Sequence, residues 1–365
     1  NMMQTDYNND GKIDIFLLRG AWQGSGPFAK VPNSLLKNNG DGTFTDVTIQ
    51  AGILSFNPTQ AATWNDFNND GWLDVFIGNE SLPSNNIYPS ELYINNQDGT
   101  FTNIASPQGL NIKTFVKACT SGDYDNDGWA DIFISCLTGE KILLRNKGVK
   151  GKVPTFENTS QQAGLAQNKE RTFPTFFFDY DNDGWLDLFI CNYSFEQQLS
   201  FFLAKETLYP SNDQEGKIIL YHNNQNGTFS EVSGQMHLNQ PVFAMAANFG
   251  DFDNDGWLDM FMSTGNPNYR SLIPNRLYKN MGGTDFMEVT YSARVGNLQK
   301  GHGVAFADIN NNGDQDIYVN IGGAYEGDAF NSAFYLNPGQ NDNNWITMQL
   351  EGVKSNKAAI GARIR

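Results

Sequence analysis

A chain of 365 residues exceeds the roughly 250–300 residues at which one hydrophobic core stops growing, so several domains or a repeat array are expected. With 24 Lys and Arg against 40 Asp and Glu, the formal charge of −16 argues against nucleic-acid phosphate or an anionic membrane surface as partner, and favours cations. No run of about 18 apolar residues is available for a membrane-spanning helix, and the residues after Asn1 do not form an export leader, so the chain reads as a mature or excised piece.

From the N-terminus onward one nine-residue pattern recurs six times: DYNNDGKID at 6–14, DFNNDGWLD at 66–74, DYDNDGWAD at 123–131, DYDNDGWLD at 179–187, DFDNDGWLD at 251–259 and DINNNGDQD at 308–316. The first residues are 60, 57, 56, 72 and 57 positions apart, and self-similarity at such a period signals a repeat architecture. Each copy follows a strand-like run, as at 60–64, 173–178 and 303–307, and precedes a short apolar one, IFLL, VFIG, IFIS, LFIC, MFMS or IYVN. Length, aromatics and β-branching make these strands. A third run (ELYINN, KILLRN, IILYHNN, RLYKN, AFYLN), a Gly-containing turn such as NGDGT, and a fourth run such as FTDVT complete the unit. The predicted fold is all-β: a propeller of four-stranded antiparallel blades, six or seven in number, over residues 1–350, with 351–365 opening a further segment. Cys119, Cys136 and Cys191 are too few for a disulfide scaffold; Cys119 and Cys136 either face each other across a hairpin or are small buried hydrophobes.

Oxygen donors at alternate positions, with Gly at position 6 for the sharp turn, wrap a hard cation at calcium distances. The expected ligands of the first loop are Asp6, Asn8, Asp10 and Asp14 with the carbonyl of Lys12; of the second, Asp66, Asn68, Asp70 and Asp74 with that of Trp72. The third offers Asp123, Asp125, Asp127 and Asp131 with Trp129; the fourth, Asp179, Asp181, Asp183 and Asp187 with Trp185; the fifth, Asp251, Asp253, Asp255 and Asp259 with Trp257. The sixth, Asp308, Asn310, Asn312 and Asp316 with the carbonyl of Asp314, is expected to be weakest. At positions 1, 3, 5 and 9 the loops place twenty of the chain's 40 acidic residues, and six Ca²⁺ ions would change −16 to −4. Such ions are structural: a full protein cage leaves no room for a substrate. Magnesium, which keeps its waters, is disfavoured. Sites of this kind fill at millimolar calcium and stay empty at cytosolic levels, so the chain is expected outside the cytoplasm: secreted, at the cell surface or periplasmic.

Strand, DxDxDGxxD loop, strand resembles the FG-GAP/VCBS repeat family, the blades of integrin α-subunit propellers and of many secreted bacterial proteins. The LYxN and NxDGTF elements, with AGI at 51–53 and AGL at 163–165, are similar to its cartilage acidic protein branch, and NNWITMQLEGVKSNKAAIGARIR at 343–365 looks like the opening of an ASPIC/UnbV domain. The resemblance implies a calcium-binding, extracellular, non-enzymatic interaction or adhesion protein.

Connections between second and third strands are long, unequal and aromatic, and variable loops on a rigid scaffold are where recognition concentrates. Trp22, Tyr88, Tyr193, Phe195, Tyr209, Tyr269 and Tyr325 are the candidate contacts for a glycan or protein ligand, with 192–217 contributing most. Alternatives are a polysaccharide lyase or hydrolase on the same scaffold and a docking module of a surface assembly. For an enzyme the histidines His222, His237 and His302 are the available bases; the first two read as structural, and His302 is the one worth testing.

Overall fold

The structure, a computed structural model, describes residues 1–20, 31–82, 87–210, 213–264, 272–322, 329–339, 343–362 and 364. Six antiparallel sheets follow one another along the chain, the blades of a six-bladed β-propeller. Blade one is Met2–Thr5, Asp14–Leu17, Ser34–Asn38 and Phe44–Asp46; blade two is Thr59–Asn65, Asp74–Asn79, Glu91–Asn95 and Phe101–Asn103. Blade three is Val116–Gly122, Asp131–Cys136, Lys141–Lys150 and Val153–Asn158. Blade four is Arg171–Phe178, Asp187–Tyr193, Ile218–Asn223 and Phe229–Glu231, and blade five is Ala246–Gly250, Asp259–Ser263, Arg276–Asn280 and Phe286–Glu288. Blade six has Gly301–Ala307, Asp316–Ile321 and Ala333–Tyr335, three strands among the described residues.

Two compact units emerge, residues 1–167 with 349–365, and residues 168–348. Within each, sequence neighbours bury their apolar faces against each other. Phe16, Leu35, Trp64, Val75 and Tyr93 join blades one and two, and Phe76, Leu92, Val116, Ile132 and Ile134 join two and three. In the other unit Phe176, Phe189, Leu220, Met260 and Tyr278 join blades four and five, and Phe261, Leu277, Val304 and Val319 join five and six. The continuous apolar second strands of blades two to five are thereby explained: every residue of each is buried.

A second interblade tie is polar. The Asn that ends or follows the third strand, or in blade three lies within the longer Lys141–Lys150, turns its amide back toward the loops: Asn95 donates to the carbonyls of Leu73 (3.1 Å) and of Tyr7 in the preceding blade (2.7 Å). Asn146 does the same to Ala130 (3.1 Å) and Phe67 (2.8 Å), and Asn280 to Leu258 (3.2 Å) and Tyr180 (2.8 Å). Asn337 repeats it on Gln315 (3.3 Å) and Phe252 (2.6 Å). Sequence reading leaves these residues inside the third strand-like run without a role of their own; their recurrence at one register of that run is the signal it leaves unused.

The three cysteines form no disulfide with one another. Cys119 stands opposite Ile134, and Cys136 opposite Val116, so the two do not face each other in register. The connection at 192–217 contains helix α1 (Leu199–Leu208), which strand-based reading treats as loop; it has no side-chain N-cap bond. Segment 349–362 packs with blades one and two: Ile360 joins their core, Asn356 is buried, and the Lys357 N–H donates to Asn9 Oδ1 at 3.1 Å.

Replacing Asn146 by Ala strands two buried carbonyls and is expected to cost about 1–3 kcal/mol. Guanidinium unfolding of the variant beside an exposed control, Asn39→Ala, measures it.

Candidate functional site

All six loops adopt one conformation. The position-4 Asn (Asn9, Asn69, Asn126, Asn182, Asn254, Asn311) has φ of 54–57° and the position-6 Gly 79–92°. Two left-handed residues in three reverse the chain, and Asn and Gly are the residues that tolerate this. The position-1 carboxylate then caps the turn. Asp6 Oδ1 accepts the Asp10 N–H and Oδ2 the Gly11 N–H, both at 3.0 Å. The same pair recurs at Asp66 (3.0 and 2.7 Å), Asp123 (3.0 and 3.0 Å), Asp179 (3.1 and 2.9 Å), Asp251 (3.0 and 2.9 Å) and Asp308 (3.1 and 2.9 Å). The position-5 side chains of Asp10, Asp70, Asp127, Asp183, Asp255 and Asn312 each accept the N–H of position 7, at 2.8–3.0 Å.

Position 9 is the buried end of the loop and the first residue of the second strand: Asp14, Asp74, Asp131, Asp187, Asp259 and Asp316. One oxygen accepts the main-chain N–H of the third-strand Asn, at 2.7 Å for Asp14 and Asp131 and 2.8 Å for Asp74, Asp187, Asp259 and Asp316. The other takes the N–H of position 2 in loops two to six, at 3.0–3.2 Å. This residue is therefore a structural hub as well as a candidate ligand.

Position 4 ties loop to loop. Asn9 Nδ2 donates to the Gly71 carbonyl (2.8 Å), Asn69 to Gly128 (2.9 Å), Asn182 to Gly256 (2.9 Å) and Asn254 to Gly313 (3.1 Å). Gly71 has a second reason to lack a side chain, since a Cβ there would lie 2.8 Å from the Lys354 carbonyl.

The acid-rich loops bring three carboxylates to one point: the groups Asp123, Asp125, Asp127, then Asp179, Asp181, Asp183, and then Asp251, Asp253, Asp255 each offer oxygens within 4.8 Å of one another. Position 3 gives the clearest test of fit to a cation. Asp125 Oδ1 and Asp181 Oδ1 are buried with no hydrogen-bond donor, although backbone amides orient the acids around them. A buried carboxylate oxygen without a donor is costly, and a divalent ion is the partner it fits. Desolvation raises the carboxyls of Asp6, Asp66, Asp125, Asp181 and Asp251 above their ordinary value. At position 9, burial pushes Asp14 up to about 6, and Asp131, Asp187 and Asp259 to about 8, despite the N–H donors that oppose it. Asp74 is raised well above its ordinary value for the same reason.

His222, read from sequence as structural, lies 3.3 Å from both Asp181 Oδ2 and Asp187 Oδ1, at the fourth loop. Only the third-strand register reveals that proximity. His237 is 2.7 Å from Asp285 at the surface. The position-7 residues Trp72, Trp129, Trp185 and Trp257 are half-buried. Trp129 lies against Gly148 and Trp257 against Gly283, so these indoles pack on their own blades' third-to-fourth-strand regions; a Cβ on Gly283 would also meet Asp181 of the preceding blade. Lys12 sits at position 7 of the first loop, with Nζ 3.2 Å from the Asn39 carbonyl.

The aromatic candidates at the other end of the blades divide. Tyr193 is a correction: it is 1% exposed, within 4.6–4.9 Å of the rings of Phe173, Phe195 and Phe243, and is core. Its strand, Asp187–Tyr193, is buried along its whole length. Phe195 (49% exposed) and Tyr209 (75%) are open to solvent, and Tyr88 is half-buried with its backbone held by Ser81. Trp22, Tyr269 and Tyr325 lie outside the described residues.

Blades of this form, each opened by an Asp/Asn loop between its first two strands, define a propeller of FG-GAP-like repeats, and a family model of that description matches residues 6–77, 66–134 and 179–262. The chain belongs to the FG-GAP-like repeat family. Among named proteins it is similar to human cartilage acidic protein 1, 30% identical over 192 residues that cover 48% of this chain and 27% of that protein. The Xenopus tropicalis protein of the same name is 26% identical over 185 residues, 48% of this chain and 28% of that one. The chain thus spans under a third of the length of the curated relatives it matches. Among solved structures, the Dos1 propeller aligns with a TM-score of 0.43 at 11% identity over 87% of this chain and 68% of that one. Among the described residues no helix is long and apolar enough to cross a membrane.

With no cation bound, the position-9 acids hold protons more tightly in the folded than in the unfolded chain. Their contribution is present below the ordinary carboxylate value of 3.8 and lost as pH rises through about 8. The melting temperature in EGTA is therefore expected to fall between about pH 5 and pH 8, read by a calorimetric scan series.

Proposed function

We propose that the chain is a calcium-stabilised, non-catalytic binding propeller of an extracytoplasmic protein. The observation that carries this is the position-3 oxygen of Asp125 and Asp181, buried without a donor inside loops whose other acids are already aligned by backbone amides. The ion would be held by positions 1, 3, 5, 7 and 9, where it would neutralise the crowded acids. At free calcium about a hundred times Kd, each site contributes about 2.7 kcal/mol, so millimolar calcium stabilises the fold where cytosolic levels do not. Similarity to cartilage acidic protein 1 supports an extracellular-type binding propeller. Calorimetric titration and anomalous scattering are expected to count up to six ions, with the sixth loop weakest; no uptake, and identical melting in EGTA, would overturn the reading.

Recognition is assigned to the end of blade four opposite its metal loop, where α1 and its flanks expose Phe195, Phe201, Leu208 and Tyr209. The ligand class is a glycan or a protein surface. A Phe195→Ala/Tyr209→Ala double variant is expected to lose at least tenfold in affinity for an array-identified ligand with a far smaller fall in melting temperature than Tyr193→Ala, which is expected to destabilise the fold by about 3 kcal/mol or more. Turnover of acidic polysaccharide to unsaturated products, abolished by His302→Ala, would instead show an enzyme.

A further inference from the structure

The residue just before each third-strand Asn is Lys37, Ile94, Arg145, His222, Lys279 or Leu336. Where it is Arg or Lys it leans on its own blade's loop. Arg145 sets Nε on Asp125 Oδ2 and Nη2 3.1 Å from Asp127 Oδ2. Lys279 sets Nζ on Asp253 Oδ2 and 3.0 Å from Asp255 Oδ2. In both loops the side chain contacts the acids of positions 3 and 5, which are the acids a bound ion needs. Lys37 is more distant, 4.0 Å from Asp10 Oδ2. At the second loop the residue is Ile94: Asp70 is met instead by the Gln97 amide at 3.0 Å, and Asn68, Asp70, Ile94, Gln97 and Lys152 line an open cleft.

We infer that Arg145 and Lys279 are tethered counter-ions, which hold the third and fifth loops together when calcium is scarce and must give way when it binds. The inference rests on the calcium reading above and adds that loop affinity does not follow the number of carboxylates. The third and fifth loops have one acid more than the second at positions 1, 3, 5 and 9, yet each also carries a resident positive charge. A guanidinium serves well, because it is always ionised and meets two carboxylates with a fixed fork. The second loop has one acid fewer and, among the described residues, no Arg or Lys ion-paired to it.

Arg145→Met and Lys279→Met keep the apolar stem and remove the charge, and Ile94→Lys installs one over the second loop. One unit charge beside a divalent ion at partly solvated range changes affinity by on the order of tenfold. Per-loop anomalous occupancy in crystals at limiting calcium, together with solution titration, is expected to show the third loop of Arg145→Met and the fifth of Lys279→Met filling at about tenfold lower calcium, and the second loop of Ile94→Lys at about tenfold higher. Melting provides an independent readout: the two Met variants are expected to lose more in EGTA than in excess calcium, because the tether acts in the metal-free state. Unchanged or weakened calcium binding in the Met variants, or an equal melting loss in both conditions, overturns the inference. Ile94 is itself buried in the core of blades two and three, so if any of these variants does not fold, Arg145→Gln and Lys279→Gln decide by the same two readouts. Wild-type loops that take up no calcium mark a failure of the underlying reading instead.

Discussion

The hydrogen bonds of one buried carboxylate organise each blade. The position-9 aspartate begins the second strand, grips the third strand through the N–H of its Asn, and in five loops also holds the residue that follows position 1. Loop, hairpin and strand register are thus fixed by a single side chain with no exposure to solvent. A buried carboxylate is expensive, and its N–H donors offset only part of that cost. The crowding of the other loop acids in front of it makes a positive partner the remaining requirement, whether an ion or a side chain.

The Asn amides extend this local arrangement along the chain. Asn95, Asn146, Asn280 and Asn337 each bridge the position-8 carbonyl of their own loop to the position-2 carbonyl of the preceding loop, while position 4 reaches forward to the next. Apolar side chains pack between the same neighbours. Within each unit, neighbouring blades are therefore joined twice, by a core that is non-directional and by amides that are directional. The first supplies most of the burial, and the second fixes the rotation of one sheet on the next.

Most of this was legible in the sequence because it repeats. Strand order, the loop between the first two strands and the hairpin turns follow from a pattern seen six times, and the strand reading at 60–64 corresponds to Thr59–Asn65. What was not legible depends on tertiary register or occurs once. Helix α1 has no repeat partner. Tyr193 looks like a loop aromatic until its strand is seen to run through it. The contacts of His222, Arg145 and Lys279 depend on which third-strand position overhangs the loop, something that composition does not encode. Asn146 and its equivalents were visible but ambiguous, since Asn suits a turn as well as a buried amide bridge.

The insertion in blade four leaves and rejoins the sheet at a pinched neck. The Asn192 N–H meets the Lys217 carbonyl at 2.9 Å, and the Asn192 amide meets the Gln214 carbonyl at 2.8 Å. Around the buried anchors Tyr193, Leu199 and Phe202, the exposed stretches between those points can vary while the pairing of Cys191 with Ile218 stays fixed. Blade four therefore has a permissive port, a place where evolution or an engineer can graft a foreign cassette while the rest of the repeat keeps its register.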